Sequence, residues 1–410
     1  MPDIPPSLRS DVEIIPAEYN RKKGLLIKDS LGLIADSVFV QGMGVFILTR
    51  LDGRTTLEDI WSLLVQQTRD LSLTREQIAE VISRFDESFL LDSPAYRAGK
   101  KNILDAYARE TIRRAALAGS AYPGEEADLR LYLDDVLTAG PVGENDPPSE
   151  SIRAVVAPHI DIGVGRSLYS RAYNAVRTWK PCRIVILGTG HHLNDAFFSL
   201  TNKDFETPLG LVRADKEWIN NLRAAGEELI SSADIVHRSE HSIEFQLLFC
   251  QRIFGPTFSI VPVLCGSFSG LLSSVTRPSE VPGIEAMSRT LRRMLDESPD
   301  TLVVAGVDLS HIGLKFGHSE SALSLLLDTR EFDDRQMDHI CEGDIQAFWE
   351  GERRSGSRFN VCGFSALSFL MEVFPDLQGV RLGYDIWREE PTQSAVSFAA
   401  MVLMKKEKRK

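Results

Sequence analysis

The chain has 410 residues, 43% of them hydrophobic and 25% charged, which is the make-up of a globular protein of more than one domain. A formal net charge of −12 argues against a general nucleic-acid binder. No apolar run approaches the roughly 18 residues of a membrane span, and "MPDIPPSLRSDVEII" has no apolar h-region, so no membrane partner and a cytoplasmic location are expected.

In chain order, residues 1–95 read as a small α+β unit. The segment "GLLIKDSLGLIADSVFV" (24–40) has two apolar runs broken by Asp-Ser and Gly, as a hairpin would. Two capped helices follow, one opened by Thr56 with Asp59 and one by Thr74 with Gln77. On the second, Ile78, Ile82, Phe85 and Phe89 share one apolar face. Hairpin, helix and helix resemble a winged-helix module, and "FVQGMGVFILTRLDGRTTLEDIWSLL" resembles the PqqD-type peptide-binding family, which implies a peptide ligand. With 10 Lys/Arg against 15 Asp/Glu, this unit would repel phosphates, so DNA is the weaker reading.

Residues 96–111 read as a helical linker, and 112–410 as a second domain. Here short Val/Ile/Leu runs alternate with amphipathic helices: "IRAVVAPH", "RIVILGTG", "FSIVPVLCG" and "TLVVAGVD" as strands, "SIEFQLLFCQRIF" and "GIEAMSRTLRRMLDE" as helices. That alternation predicts an α/β fold with a mostly parallel central sheet flanked by helices.

In such sheets ligands bind beyond the carboxyl ends of the strands. One strand ends in His159, one in His191 and His192, and one in Asp308 with His311 three residues on. A hydrogen-bonded turn histidine is the simpler account of any one of these, but three strand ends each delivering a histidine point to a site. Cys362 precedes an almost wholly apolar helix, where the helix dipole favours a thiolate. The other four cysteines (Cys182, Cys250, Cys265, Cys341) read as small buried hydrophobes. An odd count without C-x-x-C argues against a disulfide framework and a zinc ribbon. "SEHSIEFQ" places His241 and Glu244 at i, i+3, and Glu240 and Glu244 at i, i+4, on one helix, as ligands, as supports for ligands or as a surface pair. Position 193 is Leu, so "GTGHHL" lacks the third glycine of a dinucleotide loop and supports that fold weakly, and P-loop, zincin and nucleophile-elbow motifs are absent.

"GSAYPG", "APHIDIG", "LGTGHH", "ETPLG", "EHSIEFQ", "VDLSHIG", "CGFSAL" and "SAVSFAAMVL" occur in the order of the Memo family, whose bacterial and archaeal members are called AmmeMemoRadiSam system protein B. The resemblance covers about residues 112–404. It implies a fold like that of class III extradiol ring-cleaving dioxygenases. It also implies His159, His191 and Cys362 as metal ligands, with Asp308 and His311 in the pocket, the histidine in the place of a catalytic acid/base. His241 joins these two as a catalytic candidate, while His192, Asp161 and Glu244 are candidates for the layer around the ligands. This chain departs from the family pattern at Ile160-Asp161-Ile162, at Gly190 and at Gly306-Val307.

Two histidines and a thiolate suit a divalent metal, Fe(II) first, with Cu or Zn as alternatives. The first expectation is a redox-active metal protein, a dioxygenase-like oxidoreductase if it is an enzyme. One alternative is a non-catalytic adaptor that presents a peptide to a radical SAM protein, as the family name implies. Another is a zinc-dependent hydrolase in which Asp308 or His311 activates water.

Overall fold

The structure, a computed structural model, describes residues 3–34, 37–140, 143 and 146–405. The terminal "KKEKRK" is basic, and its charge leads one to expect a solvated end; beyond Lys405 it lies outside the described residues. The chain divides into two compact units, Met1–Arg109 and Glu110–Lys410.

The first unit opens with an antiparallel sheet of β1 (Val12–Tyr19), β2 (Lys22–Asp29) and β3 (Val38–Gln41), paired in that order. The predicted hairpin is β2 with β3, and β1 is an additional strand. Helices α1 (Met43–Leu48), α2 (Leu57–Thr68), α3 (Arg75–Glu87) and α4 (Pro94–Arg109) follow. Both capping boxes form: the Thr56 and Thr74 hydroxyls accept from the backbone N–H three residues on, and Asp59 and Gln77 reach back. Ile60, Leu64, Ile78, Ile82 and Phe85 bury their faces together with Ile27 and Ile47. Phe89 falls beyond α3, at φ 55°, and is only half-buried. The expected linker at 96–111 is mostly α4, and α4 belongs to the first unit.

The second unit begins with β4 (Ile112–Arg113), α5 (Glu126–Leu137), β5 (Ile152–Ala157), α6 (Ile162–Ala175) and β6 (Arg183–Thr189). Short strands β7 (Phe198–Leu200), β8 (Asp204–Thr207) and β9 (Gly210–Val212) lead to α7 (Lys216–Ala225) and α8 (His241–Phe254). Next come β10 (Ser259–Cys265), α9 (Pro282–Glu297), β11 (Thr301–Gly306), β12 (His311–Gly313), α10 (Ala322–Glu342), α11 (Ile345–Ser355) and α12 (Phe364–Val373). A long hairpin of β13 (Leu377–Glu389) and β14 (Ser394–Lys405) ends the described chain.

The central sheet has eight strands in the order β12-β14-β5-β11-β6-β10-β7, with β13 on β14. This corrects the expected mostly parallel sheet to a mixed one. Strands β5, β11, β6 and β10 run parallel, while β7, β12, β13 and β14 pair antiparallel. The reversal between β13 and β14 is tight, with Gln393 at φ 50°, and so short a connection can only join antiparallel strands.

Successive residues of the parallel strands face opposite cores. Val185, Leu187, Val303 and Ala305 meet α7, α9 and α12, whereas Ile184, Ile186, Leu302 and Val304 meet α6 and α8. Among the described residues no helix is long and apolar enough to cross a membrane.

Arg113 on β4 and Glu244 on α8 form a fully buried ion pair. The Glu244 carboxylate also accepts from the N–H groups of Ala116 (2.9 Å) and Leu117 (3.0 Å) and from the Tyr122 hydroxyl. Glu244, expected beside the metal ligands, instead ties the segment 113–122 to α8. Removing one partner of a buried pair strands the other charge. Arg113→Ala is therefore expected to lower unfolding stability by about 3–5 kcal/mol, read as a fall in the urea midpoint. A loss under about 1 kcal/mol, the range of an exposed pair, would contradict this role.

Candidate metal centre

The parallel strands end at one edge of the sheet, and the chemistry lies just past them. Gly306 on β11 is in register with Ala157 on β5 and with Gly188 on β6. His159 and Asp308 therefore stand two residues past paired positions, and His191 three. At Gly306 a Cβ would lie 2.4 Å from the Ser242 carbonyl oxygen, so this strand end has room only for glycine. Cys362 arrives from another direction, just before α12. Its N–H donates to Leu309 O (3.1 Å), and the Gly363 N–H donates to Asp308 O (2.9 Å).

The Cys362 sulfur lies 3.1 Å from His159 Nε2 and 3.6 Å from His191 Nε2. Each ring is held at its other nitrogen. His159 Nδ1 is 3.0 Å from Gly306 O, and His191 Nδ1 is 3.1 Å from both carboxylate oxygens of Glu240. Acceptors at Nδ1 place the N–H there and leave the Nε2 lone pairs turned to the sulfur, the arrangement of metal-binding histidines. Nitrogen at about 2.0–2.1 Å and sulfur at about 2.3 Å from one ion lie roughly 3.1–3.6 Å apart for angles of about 90–110°. The observed separations meet that demand, so these residues fit a metal. The Thr189 hydroxyl lies 3.4 Å from the same sulfur.

Glu240 caps α8, accepting from the N–H groups of His241 (2.8 Å) and Ser242 (3.0 Å), and it also takes the His191 N–H (3.1 Å). Desolvation alone would lower the His191 value, although a third of its side chain stays exposed. The Glu240 carboxylate and Cys362 overcome this and push His191 well above the ordinary histidine range. Burial pushes His241 and His159 down instead, His159 well below the usual value. The three rings form a near-equilateral group, with centroids 5.0 Å (159–191), 5.1 Å (159–241) and 5.0 Å (191–241) apart.

Asp308 Oδ1 accepts from the N–H groups of His159 (2.9 Å) and Ile160 (3.2 Å), and Oδ2 lies 3.6 Å from His159 Nε2. Burial raises its carboxyl to about 7, against those two hydrogen bonds. His311 stands apart from the triad. Its Nδ1 is 3.1 Å from Leu309 O, its ring meets Phe316 edge-on, and burial lowers it to about 4.

Two further candidates take other places. Asp161 is exposed and caps α6, accepting from Gly163 and Val164. His192 is exposed beside His191. All five cysteines are free; Cys250 and Cys265 are buried as expected, but Cys341 is half-buried and Cys182 exposed, which corrects the reading of all four as core residues. Glu240, weighed in the sequence with Glu244 as a ligand, a support for ligands or a surface charge, is here the cap of α8 and the partner of the His191 ring. The signal for this role was its position directly before α8, where a carboxylate can cap the helix and still reach sideways.

A Glu240→Gln substitution keeps the cap's shape and removes the charge facing His191. Carboxylate neighbours raise a histidine by about one to three units. The variant's His191 is therefore expected to titrate lower by about that amount in nitrogen-15 NMR of the metal-free protein. An unmoved midpoint would contradict the assignment.

Residues 113–402, most of the chain, match the family described as Memo-like protein. A MEMO1 family protein of Aquifex aeolicus is 24% identical over 380 residues, covering 92% of this chain and 95% of the relative. One of Thermus thermophilus is 27% identical over 354 residues, covering 86% and 100%. One of Pyrococcus abyssi is 29% identical over 260 residues, covering 62% and 84%. The Aquifex match is longer than the second unit and so reaches into the first. With the histidines and Cys362 lying inside the matched span, this chain belongs to the Memo-like protein family.

Proposed function

We propose that the second unit is a metal-dependent oxidoreductase centre in which His159, His191 and Cys362 hold a divalent ion, iron(II) first and copper or zinc as alternatives. The observation that carries this is one sulfur within 3.6 Å of two histidine nitrogens whose opposite ring positions are already occupied by acceptors. Iron or copper held there supplies electron-transfer and oxygen chemistry, and zinc supplies Lewis acidity alone.

The chain's own residues do the rest. Glu240 and Gly306 O fix the two rings, so ligation requires little reorganisation. Asp308 Oδ2 is the atom beside His159 where a proton can be held near neutral pH. His241, against both ligand rings, is the second group able to take a proton, and His311, apart from the triad, a third. Thr189 and Cys362 line a cavity of about 290 Å³ together with His191, and a small substrate would sit there. Kinship in fold with extradiol dioxygenases, and the name AmmeMemoRadiSam system protein B, belong to this reading as resemblances. Because a cysteine stands where those enzymes carry a carboxylate, and cysteine is itself oxidisable, ring cleavage is not the proposed reaction.

The first unit is proposed as a PqqD-like, winged-helix peptide binder working in the cytoplasm with a radical SAM partner. Among the described residues the eight-residue strand β1 pairs with β2 alone, which leaves an edge that an extended peptide can join.

Metal analysis of untagged protein, purified with and without oxygen, is expected to find about one ion per chain. Cys362→Ala and His159→Ala are expected to lose it, with zinc affinity reduced at least about a hundredfold. Iron or copper supports the oxidoreductase, zinc alone supports the hydrolase, and undiminished binding in both variants sinks the site. For the first unit, the full chain is expected to bind members of a random peptide library. Tight, salt-sensitive binding to duplex DNA would refute the peptide reading.

A further inference from the structure

The cavity beside the metal centre has a wall that metal ligation does not use. Glu352, in the last turn of α11, is 2% exposed and forms part of that wall, and its Oε2 has no hydrogen-bond partner. Buried carboxyl oxygens are normally satisfied, and an orphan one is destabilising unless something else completes it. Burial pushes Glu352 up to about 7, opposed by a hydrogen bond from Ser357. A cationic neighbour would reverse that rise.

The rest of the wall agrees in character. Ser267, Ser357, Asn360 and Ser365 are polar, with Asn360 Nδ2 already donating to His311 O and Phe316 O and the Ser365 hydroxyl accepting from Phe268 N–H, and no lysine or arginine lies among the described lining residues. A ligand held mainly by its negative charge would find no side-chain cation there except His191. Ser357 and Asn360 are held at φ 57° and 47°, a backbone form that non-glycine residues keep only where their surroundings enforce it. That loop joins Glu352 to Cys362, so recognition and ligation sit on one short stretch of chain.

We propose that Glu352 recognises the protonated amine of a small polar substrate whose other end faces His191 and Cys362. The ammonium donates to Oε2 in a charge-assisted hydrogen bond. A cavity of about 290 Å³ lies at the low end for small-molecule sites, so the ligand is of amino-alcohol, diamine or amino-acid size, not a peptide. The proposal rests on the metal-centre reading for which cavity is the reaction site, but amine binding itself requires no metal.

The test is calorimetric titration of the full chain, metal-free and zinc-loaded, with ethanolamine and 1,4-diaminobutane, and with acetate and succinate as anionic probes. The amines are expected to bind both forms of the native chain. In Glu352→Gln their affinity is expected to fall about tenfold to a hundredfold, as for loss of a hydrogen bond to a charged group. The anions should distinguish nothing between the two chains. Equal amine affinity in native and variant protein, no amine binding at all, or anions bound more tightly than amines overturns the proposal. Glu352→Gln is expected to melt no lower than the native chain, because it removes a buried carboxyl. Should it melt early, Glu352→Asp carries the test, with weakened amine binding expected and unchanged binding contradictory. If zinc binding ignores Cys362 while amine binding still follows Glu352, the metal reading falls and this one stands.

Discussion

The site depends on the register of three parallel strands. Gly306 pairs with Ala157 on one side and Gly188 on the other, so β5, β11 and β6 finish level. Parallel neighbours must run the same way, and their ends therefore meet at one edge, where His159, Asp308 and His191 emerge into the same space. A slip of one residue in any of the three would turn its side chains to the other face of the sheet. Burial on both faces, by α6 and α8 on one side and by α7, α9 and α12 on the other, makes such a slip prohibitively unfavourable.

What that edge lacks, the helices supply. Through its cap, α8 brings Glu240 to His191, and α12 brings Cys362 to both rings. Close approach makes this possible: a Cβ at Gly363 would come within 2.7 Å of Asp308 O. The Arg113–Glu244 pair in turn fastens the start of the second unit onto α8. The centre is thus held by elements distant in sequence, and its rings are fixed by the chain's own carboxylate and carbonyl groups. That preorganisation suits tight ligation better than it suits a flexible binding surface.

Much of this was legible in the sequence because the relevant signals are local. Unbroken Val/Ile/Leu runs mark strands buried on both faces, and β5, β6, β10 and β11 all follow them. The Thr56 and Thr74 capping boxes are short-range hydrogen-bond patterns that tertiary contacts leave intact. The convergence of His159 and His191 followed from a topological rule about strand ends, and Cys362 from its place before an apolar helix. The misses are non-local. The antiparallel half of the sheet depends on β13 and β14 pairing across a tight turn, which periodicity does not encode. Glu244 found a buried arginine more than a hundred residues upstream; Asp161 is the local exception, capping its own helix as short acidic side chains do. Nothing local marks Glu352 in the sequence; only its burial beside the 356–361 loop makes it a cavity wall.

One ion shared by two histidine nitrogens and one cysteine sulfur would leave a distinct signature in X-ray absorption at the metal edge of the loaded full chain. Nitrogen scatterers at about 2.0–2.1 Å with a single sulfur at about 2.3 Å are expected, the sulfur disappearing in Cys362→Ala. A spectrum fitted by oxygen and nitrogen alone in the native chain would contradict that ligation.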